Sequence, residues 1–299
     1  MKILICSDGS TQADNAITFG GLIAAACAAE TTVLGIAERS GDEAALFDAL
    51  RHAQQTLKDR GINAEVAIKS GDPVDEILDR TRHNEYDLVV IGAVKKGKRG
   101  PFLMSAKAYR IIKSVEPPVL VVIGEKQSVQ RILICSGGER YIDRAVGITG
   151  RFAKPLGAKV SLLHVMAQPP ALYADMIRMK DDPSLLLQSD SDLGRNLRRE
   201  KDSLEQIGVE CDVRIRQGLV VNELFREIAA GDYDLVVAGS SPVGDALRTY
   251  IMGNITREIV NRANCPVLVV RGNQQPTGLA GSLKGIISEI THAFSHQKD

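Results

Sequence analysis

Short apolar runs rich in β-branched residues recur along the chain, separated by stretches with helical spacing. The first half carries Ile3 to Ser7, Thr31 to Ala37, Ala64 to Lys69, Tyr86-Asp87-Leu88-Val89-Val90-Ile91-Gly92 and Val119 to Ile123. Runs this short and this continuously apolar predict strands buried on both faces. Between them, a helix is predicted from about Ala13 to Ala28. Leu46, Leu50, Ala53 and Leu57 then fall on one helical face at i, i+4, i+7 and i+11. Val74, Ile77 and Leu78 mark a third helix, and Ala108, Ile111, Ile112 and Val115 a fourth. Strands alternating with helices predict right-handed crossovers and a parallel sheet covered on both faces.

The pattern then repeats. Ile3-Leu4-Ile5-Cys6-Ser7 returns letter for letter as Ile132-Leu133-Ile134-Cys135-Ser136. The Tyr-Asp-Leu-Val-Val run returns as Tyr233-Asp234-Leu235-Val236-Val237-Ala238-Gly239, and Pro118-Val119-Leu120-Val121-Val122 as Pro266-Val267-Leu268-Val269-Val270. Leu193, Leu197 and Leu204 repeat the leucine spacing of the second helix. The chain therefore reads as two copies of one α/β domain, at 1–124 and 131–272. The second copy carries an insertion at about 167–188 with Pro169, Pro170 and Pro183, expected to be a surface loop or a lid. The short polar link from Gly124 to Arg131 favours packing of the two copies on each other. Residues 273–299 form a hinge and a tail in which Leu279, Leu283, Ile286, Ile287, Ile290 and Phe294 have amphipathic spacing, read as a helix docked on the protein itself or on a partner subunit. With only Lys284 and Lys298 as basic residues in that stretch, a membrane-surface helix is disfavoured.

Composition narrows the partners. With 37 basic and 37 acidic residues among 299, no broad positive field invites nucleic acid. No apolar run reaches the roughly 18 residues of a membrane span. The chain runs from Met1-Lys2 straight into a strand, leaving no room for a signal peptide. Cys6, Cys27, Cys135, Cys211 and Cys265 form no Cys-x-x-Cys pair and read as reduced thiols. A cytoplasmic protein is expected.

Ligands of doubly wound sheets bind beyond the carboxyl ends of strands. Here those ends are Ser7-Asp8-Gly9-Ser10 and Gly92-Ala93-Val94, with Ser136-Gly137-Gly138-Glu139 and Gly239-Ser240-Ser241 in the second copy. The Asp-Gly-Ser turn, the Tyr-Asp-Leu-Val-Val-x-Gly strand and the Pro-Val-Leu-Val-Val strand together resemble a tandem universal stress protein. The resemblance covers both copies and leaves out the insertion and the tail. It implies two doubly wound domains, Rossmann-like and of the adenine nucleotide alpha hydrolase type. Each would hold a five-stranded parallel sheet in order 3-2-1-4-5, with the domains pairing through their last strands. In some members it also implies bound ATP, with magnesium accompanying the nucleotide.

The ATP-binding members carry G-x-x-G-x9-G-[ST] after strand four and an acidic residue after strand one. Glycines let backbone approach phosphate, and amides and a hydroxyl at a helix N-terminus face its charge. The first copy keeps Asp8 and Gly92, but Lys95 stands at the second glycine and Ser105-Ala106 at the final pair. The second copy keeps Gly239 and Gly253-Asn254. It has Pro242 at the second glycine, one extra residue before Gly253, and Gly137 in place of the aspartate. Carried over residue by residue, Asp8, with Gly9 and Ser10 in its turn, orients the base or ribose, and Gly92 permits close approach. The segment Lys95 to Arg99 and the helix start at Ser105 face the phosphates. By the same resemblance, the corresponding site of the second copy would be Gly239, Ser240, Gly253 and Asn254.

The reading is a regulatory or adaptor protein of stress response, possessed of little or no catalysis, with an unidentified protein partner. A closing strand left as an edge after the copies pair would favour a homodimer. Two alternatives stay open: a ligand-free structural adaptor, and an enzyme. Ile134-Cys135-Ser136-Gly137-Gly138 is similar to the S-G-G-x-D-S loop of ATP pyrophosphatases, but Arg140-Tyr141 replace its Asp-Ser. A weak ATPase would need a positioned base, and none lies near the glycines. His52 and His83 lie on polar helices, His292 and His296 in the tail, and His164 in a strand, where a satisfied core histidine is the expectation. No Cys/His spacing indicates a metal site.

Overall fold

A computed structural model of the chain describes residues 1–39, 41, 43–93, 105–138, 142–166, 182–240 and 253–272. Lys95 to Arg99, Arg140-Tyr141, Pro242, most of the insertion and the amphipathic tail lie outside the described residues, as does the side chain of Ser240.

The first half runs β1 (Lys2–Ser7), α1 (Thr11–Ala26), β2 (Glu30–Ala37), α2 (Glu43–Lys58), β3 (Glu65–Ser70), α3 (Pro73–His83), β4 (Leu88–Gly92), α4 (Ala106–Ser114) and β5 (Val119–Val122). The second runs β6 (Arg131–Cys135), α5 (Asp143–Leu156), β7 (Lys159–Met166), α6 (Pro183–Gln188), α7 (Asp192–Gln206), β8 (Cys211–Gln217), α8 (Val220–Gly231), β9 (Leu235–Ser240), α9 (Asn254–Arg262) and β10 (Val267–Arg271). All ten strands form one sheet in the order β3-β2-β1-β4-β5-β10-β9-β6-β7-β8. Each half thus has the expected 3-2-1-4-5 order, with parallel neighbours throughout.

The halves join through their closing strands. β5 and β10 pair antiparallel, with Val119 opposite Val269, Leu120 opposite Leu268 and Val121 opposite Val267. Both closing strands are therefore used inside the chain, and the sheet ends instead at β3 and β8. The condition for a homodimer through a free closing strand is therefore not met, and the edges left open are those of β3 and β8. Arg271 reinforces the joint by donating to the Ile112 carbonyl at 2.8 Å, and Arg151 of α5 bonds Asp87 at 2.8 Å.

Two cores follow, one on each face of the sheet, and each is continuous across the halves. One holds Phe19, Ile23, Leu50 and Leu57 with Ile148, Phe152 and Leu204. The other holds Ile77, Ile111 and Ile112 with Leu224, Ile259 and Val260. Phe19 and Phe152 are fully buried, and each such side chain stabilises the fold by roughly 1.5–3 kcal/mol.

The repeated Tyr-Asp pair works at the amino end of the sheet. Asp87 accepts the Lys2 amide at 2.7 Å and so anchors the start of β1. Asp234 accepts the Gln130 and Arg131 amides at 2.8 and 3.1 Å, anchoring β6. The end of the insertion departs from a plain loop. Asp182 caps α6 through the Ser184 amide at 3.0 Å, and Leu186 packs with Met166, Leu197 and Ile215. Proline at the first helical position and an aspartate before it are the local reason.

Candidate functional site

A cavity of about 400 Å³ opens at the carboxyl ends of β1, β2 and β4. It lies where β1 sits between β2 and β4, the point at which the crossovers switch direction. Cys6, Ile36, Ile77, Ile91, Ala108 and Ile111 give it apolar walls, and Asp8, Ser10, Gln12, Glu38, Ser105 and Lys107 supply polar groups.

The first turns of three helices line it. Ser10 caps α1, its hydroxyl accepting the Ala13 amide at 3.3 Å and donating to Asp8 at 2.5 Å. The Ser10 amide also donates to Asp8, at 3.0 Å, so both bonds fall on one carboxylate oxygen, Oδ1. Gly9 makes the turn with φ +77°, its amide donating to Ser7 Oγ at 3.2 Å. Asp72 caps α3 by accepting the Val74 amide at 2.8 Å. That bond leads the causes that hold its carboxyl below the usual range, and Arg110 assists. Ser105 caps α4 by accepting the Ala108 amide at 3.1 Å.

The three ends differ in charge. α1 has Asp14 in its first turn and α3 has Asp75 and Glu76, whereas α4 has no acid there and carries Lys107. Only α4 leaves the positive end of its dipole unopposed by its own side chains. Lys107 forms an ion pair with Glu38, which lies just past β2 on the facing wall. Cys6 is held as a neutral thiol, since burial pushes its pKa up to about 12.

Gly92 lines the cavity, but its missing side chain serves the fold. A Cβ there would lie 2.3 Å from the Gln12 carbonyl oxygen. The room expected for a ligand is taken by the backbone of α1. Of the residues read from sequence, the structure brings Asp8, Ser10, Gly92 and Ser105 to one cavity, with Gly9 in the connecting turn. Gln12, Glu38 and Lys107 join them unforeseen. A signal existed in Lys107, a cation in a first helical turn where acids are favoured.

The second half keeps the framework and changes its chemistry. At the places of Asp8, Asp72, Ser105 and Lys107 stand Gly137, Leu219, Gly253 and Ile255. Leu219 and Ile255 are exposed, at 74% and 43%. Gly253 precedes α9 in the capping position without a side chain to cap it, and Asn254 is the first residue of that helix. The Gly239 carbonyl accepts Thr256 Oγ1 at 3.4 Å, so Gly239 and the start of α9 do come together. His164 bonds the Ser136 carbonyl through Nδ1 at 3.0 Å. Burial lowers its pKa, outweighing that bond. Among the described residues no cluster of His, Cys, Asp and Glu could hold a metal ion, and no helix is long and apolar enough to cross a membrane.

A family model described as the universal stress protein family matches residues 1–122 and 128–271. Among curated proteins, the chain is 23% identical over 261 residues to a universal stress protein E homolog of Haemophilus influenzae, covering 82% of this chain and 83% of that one. Among solved structures, a universal stress protein from Archaeoglobus fulgidus superposes with a TM-score of 0.67 at 20% identity, over 90% of this chain and 98% of that one. A universal stress protein of Pseudomonas aeruginosa gives 0.65 at 15% identity, over 91% and 93%.

Proposed function

Because this chain belongs to the universal stress protein family, we propose that it is a regulatory adaptor whose first half alone binds an adenine nucleotide. The carrying observation is the cavity at the β1/β4 switch point, at about 400 Å³. That is within the roughly 300–1,000 Å³ typical of small-ligand sites.

The walls suit such a ligand. Ile36, Ile77, Ile91 and Ile111 offer apolar surface to a base. Asp8 has one oxygen engaged by Ser10, and the other, without a hydrogen-bond partner among the described residues, can accept from ribose or base. The Ser105 hydroxyl, which uses a lone pair on the Ala108 amide, still has its proton to donate to a phosphate. With the α4 dipole and Lys107 beside it, that end of the cavity is the anion-accepting end. A helix terminus contributes only about 0.3–1 kcal/mol, so the remaining contacts decide affinity. ATP fits this donor set, with magnesium as its companion ion. The second half, with Gly137, Gly253 and Ile255 at these places, carries none of the carboxylate, hydroxyl and ammonium that Asp8, Ser105 and Lys107 supply. Its part is to complete the sheet through β10.

The reading is tested by denaturing the purified protein, identifying any nucleotide released, and titrating ATP by calorimetry. Neither nucleotide nor heat would end it. ADP accumulating with time and abolished by Asp8→Ala would turn the reading toward an ATPase.

A further inference from the structure

Glu38 and Lys107 are 69 residues apart in sequence, line the same cavity and pair within it. Lys107 stands in the first turn of α4, where the helix dipole disfavours a cation. Its ammonium is taken by the Glu38 carboxylate, on the cavity wall that Ser105, the cap of the same helix, also lines. Both side chains are partly open to solvent, at 48% and 35%, so the pair contributes little to folding and exchanges partners at little cost. The equivalent positions of the second half are Ile255 and Ala167, so both charges are absent there together.

We propose that Glu38 is a resident counter-anion, standing on Lys107 where the phosphate of a ligand would otherwise sit. A phosphorylated ligand enters by displacing Glu38 from Lys107. An uncharged nucleoside enters without doing so. The pair thus sets selectivity between phosphorylated and unphosphorylated ligands of the same base. This deepens the nucleotide reading above and rests on the same cavity.

Calorimetric titration of the full chain with ATP, adenosine and inorganic pyrophosphate separates the two claims. Glu38→Gln is expected to tighten ATP and pyrophosphate by roughly three- to tenfold and to leave adenosine unchanged. Lys107→Gln is expected to weaken the two anions by a similar factor, again sparing adenosine. If ATP binds but Glu38→Gln leaves or lowers its affinity, the counter-anion is overturned and the nucleotide site stands. If pyrophosphate follows the pattern while neither ATP nor adenosine binds, the counter-anion stands and the nucleotide reading falls. Absence of binding by all three ligands to all variants overturns both.

Discussion

Gly92 and Gln12 touch backbone to backbone: a Cβ on Gly92 would fall 2.3 Å from the Gln12 carbonyl oxygen and 3.0 Å from the Ala13 amide nitrogen. The end of β4 and the start of α1 are thereby pressed together, which sets Asp8 and Ser10 against the α4 wall of the cavity. Gly92→Ala is expected to destabilise the protein by roughly 1–3 kcal/mol, the usual cost of overpacking. Backbone, unlike a flexible side-chain tip, cannot yield. Urea denaturation checks this, and an unchanged midpoint would refute the contact.

Asp234 anchors β6 and also holds Lys126 at 3.0 Å. Burial raises its carboxyl, but the Gln130 amide, Lys126 and the Arg131 amide outweigh it and leave the pKa below the usual value. A depressed carboxylate contributes stability that is present above the unfolded pKa and lost as pH falls through the folded one. Asp234→Asn is therefore expected to cost roughly 1–3 kcal/mol near neutrality. The difference from the parent should shrink as pH drops below about 4.

Glu200 has the opposite sign. It is 1% exposed, and neither carboxylate oxygen has a hydrogen-bond partner among the described residues. Burial pushes its pKa up to about 7, against the weaker pull of the Arg199 charge. The folded state then holds a proton that the unfolded state releases, so stability falls as pH rises from about 4.5 to about 7 and is level beyond. Glu200→Gln is expected to stabilise the chain at about pH 8 by roughly 1–3 kcal/mol and to be neutral near pH 5. Equal effects at both values would show that Glu200 does not titrate in this window.

Tyr86 and Tyr233 hold equivalent places but face opposite charges. Arg80 donates to the Tyr86 hydroxyl at 3.0 Å, whereas Tyr233 donates to Glu227 at 2.7 Å. Glu227 is buried and also takes Arg214 and Arg216. Glu227→Arg, the residue of the first half at that place, would leave three guanidinium groups together. A loss of roughly 3–5 kcal/mol is expected by thermal denaturation.

The fold was legible because buried parallel strands write nearly continuous apolar runs, and because each run is written twice. Asp8 and Ser105 were legible as strand and helix ends. Glu38 was not, since its partner Lys107 is brought to it only by the β2 and α4 positions around the cavity. The role of Gly92 also escaped sequence, because a glycine pattern does not say whose backbone fills the space. Glu200 sits at the place of Ala53. The leucine spacing predicts that helix face without revealing that an acid shares it.

One adenine-nucleotide site per chain, in the first half, is open to photolabelling of the full chain with an azido-adenine analogue of ATP, followed by peptide mapping. A single label, competed by ATP, is expected on peptides bearing Ile36, Ile77, Ile91 or Ile111. A competed label on second-half peptides around Val220 or Ile255, or none on the first half, would contradict it.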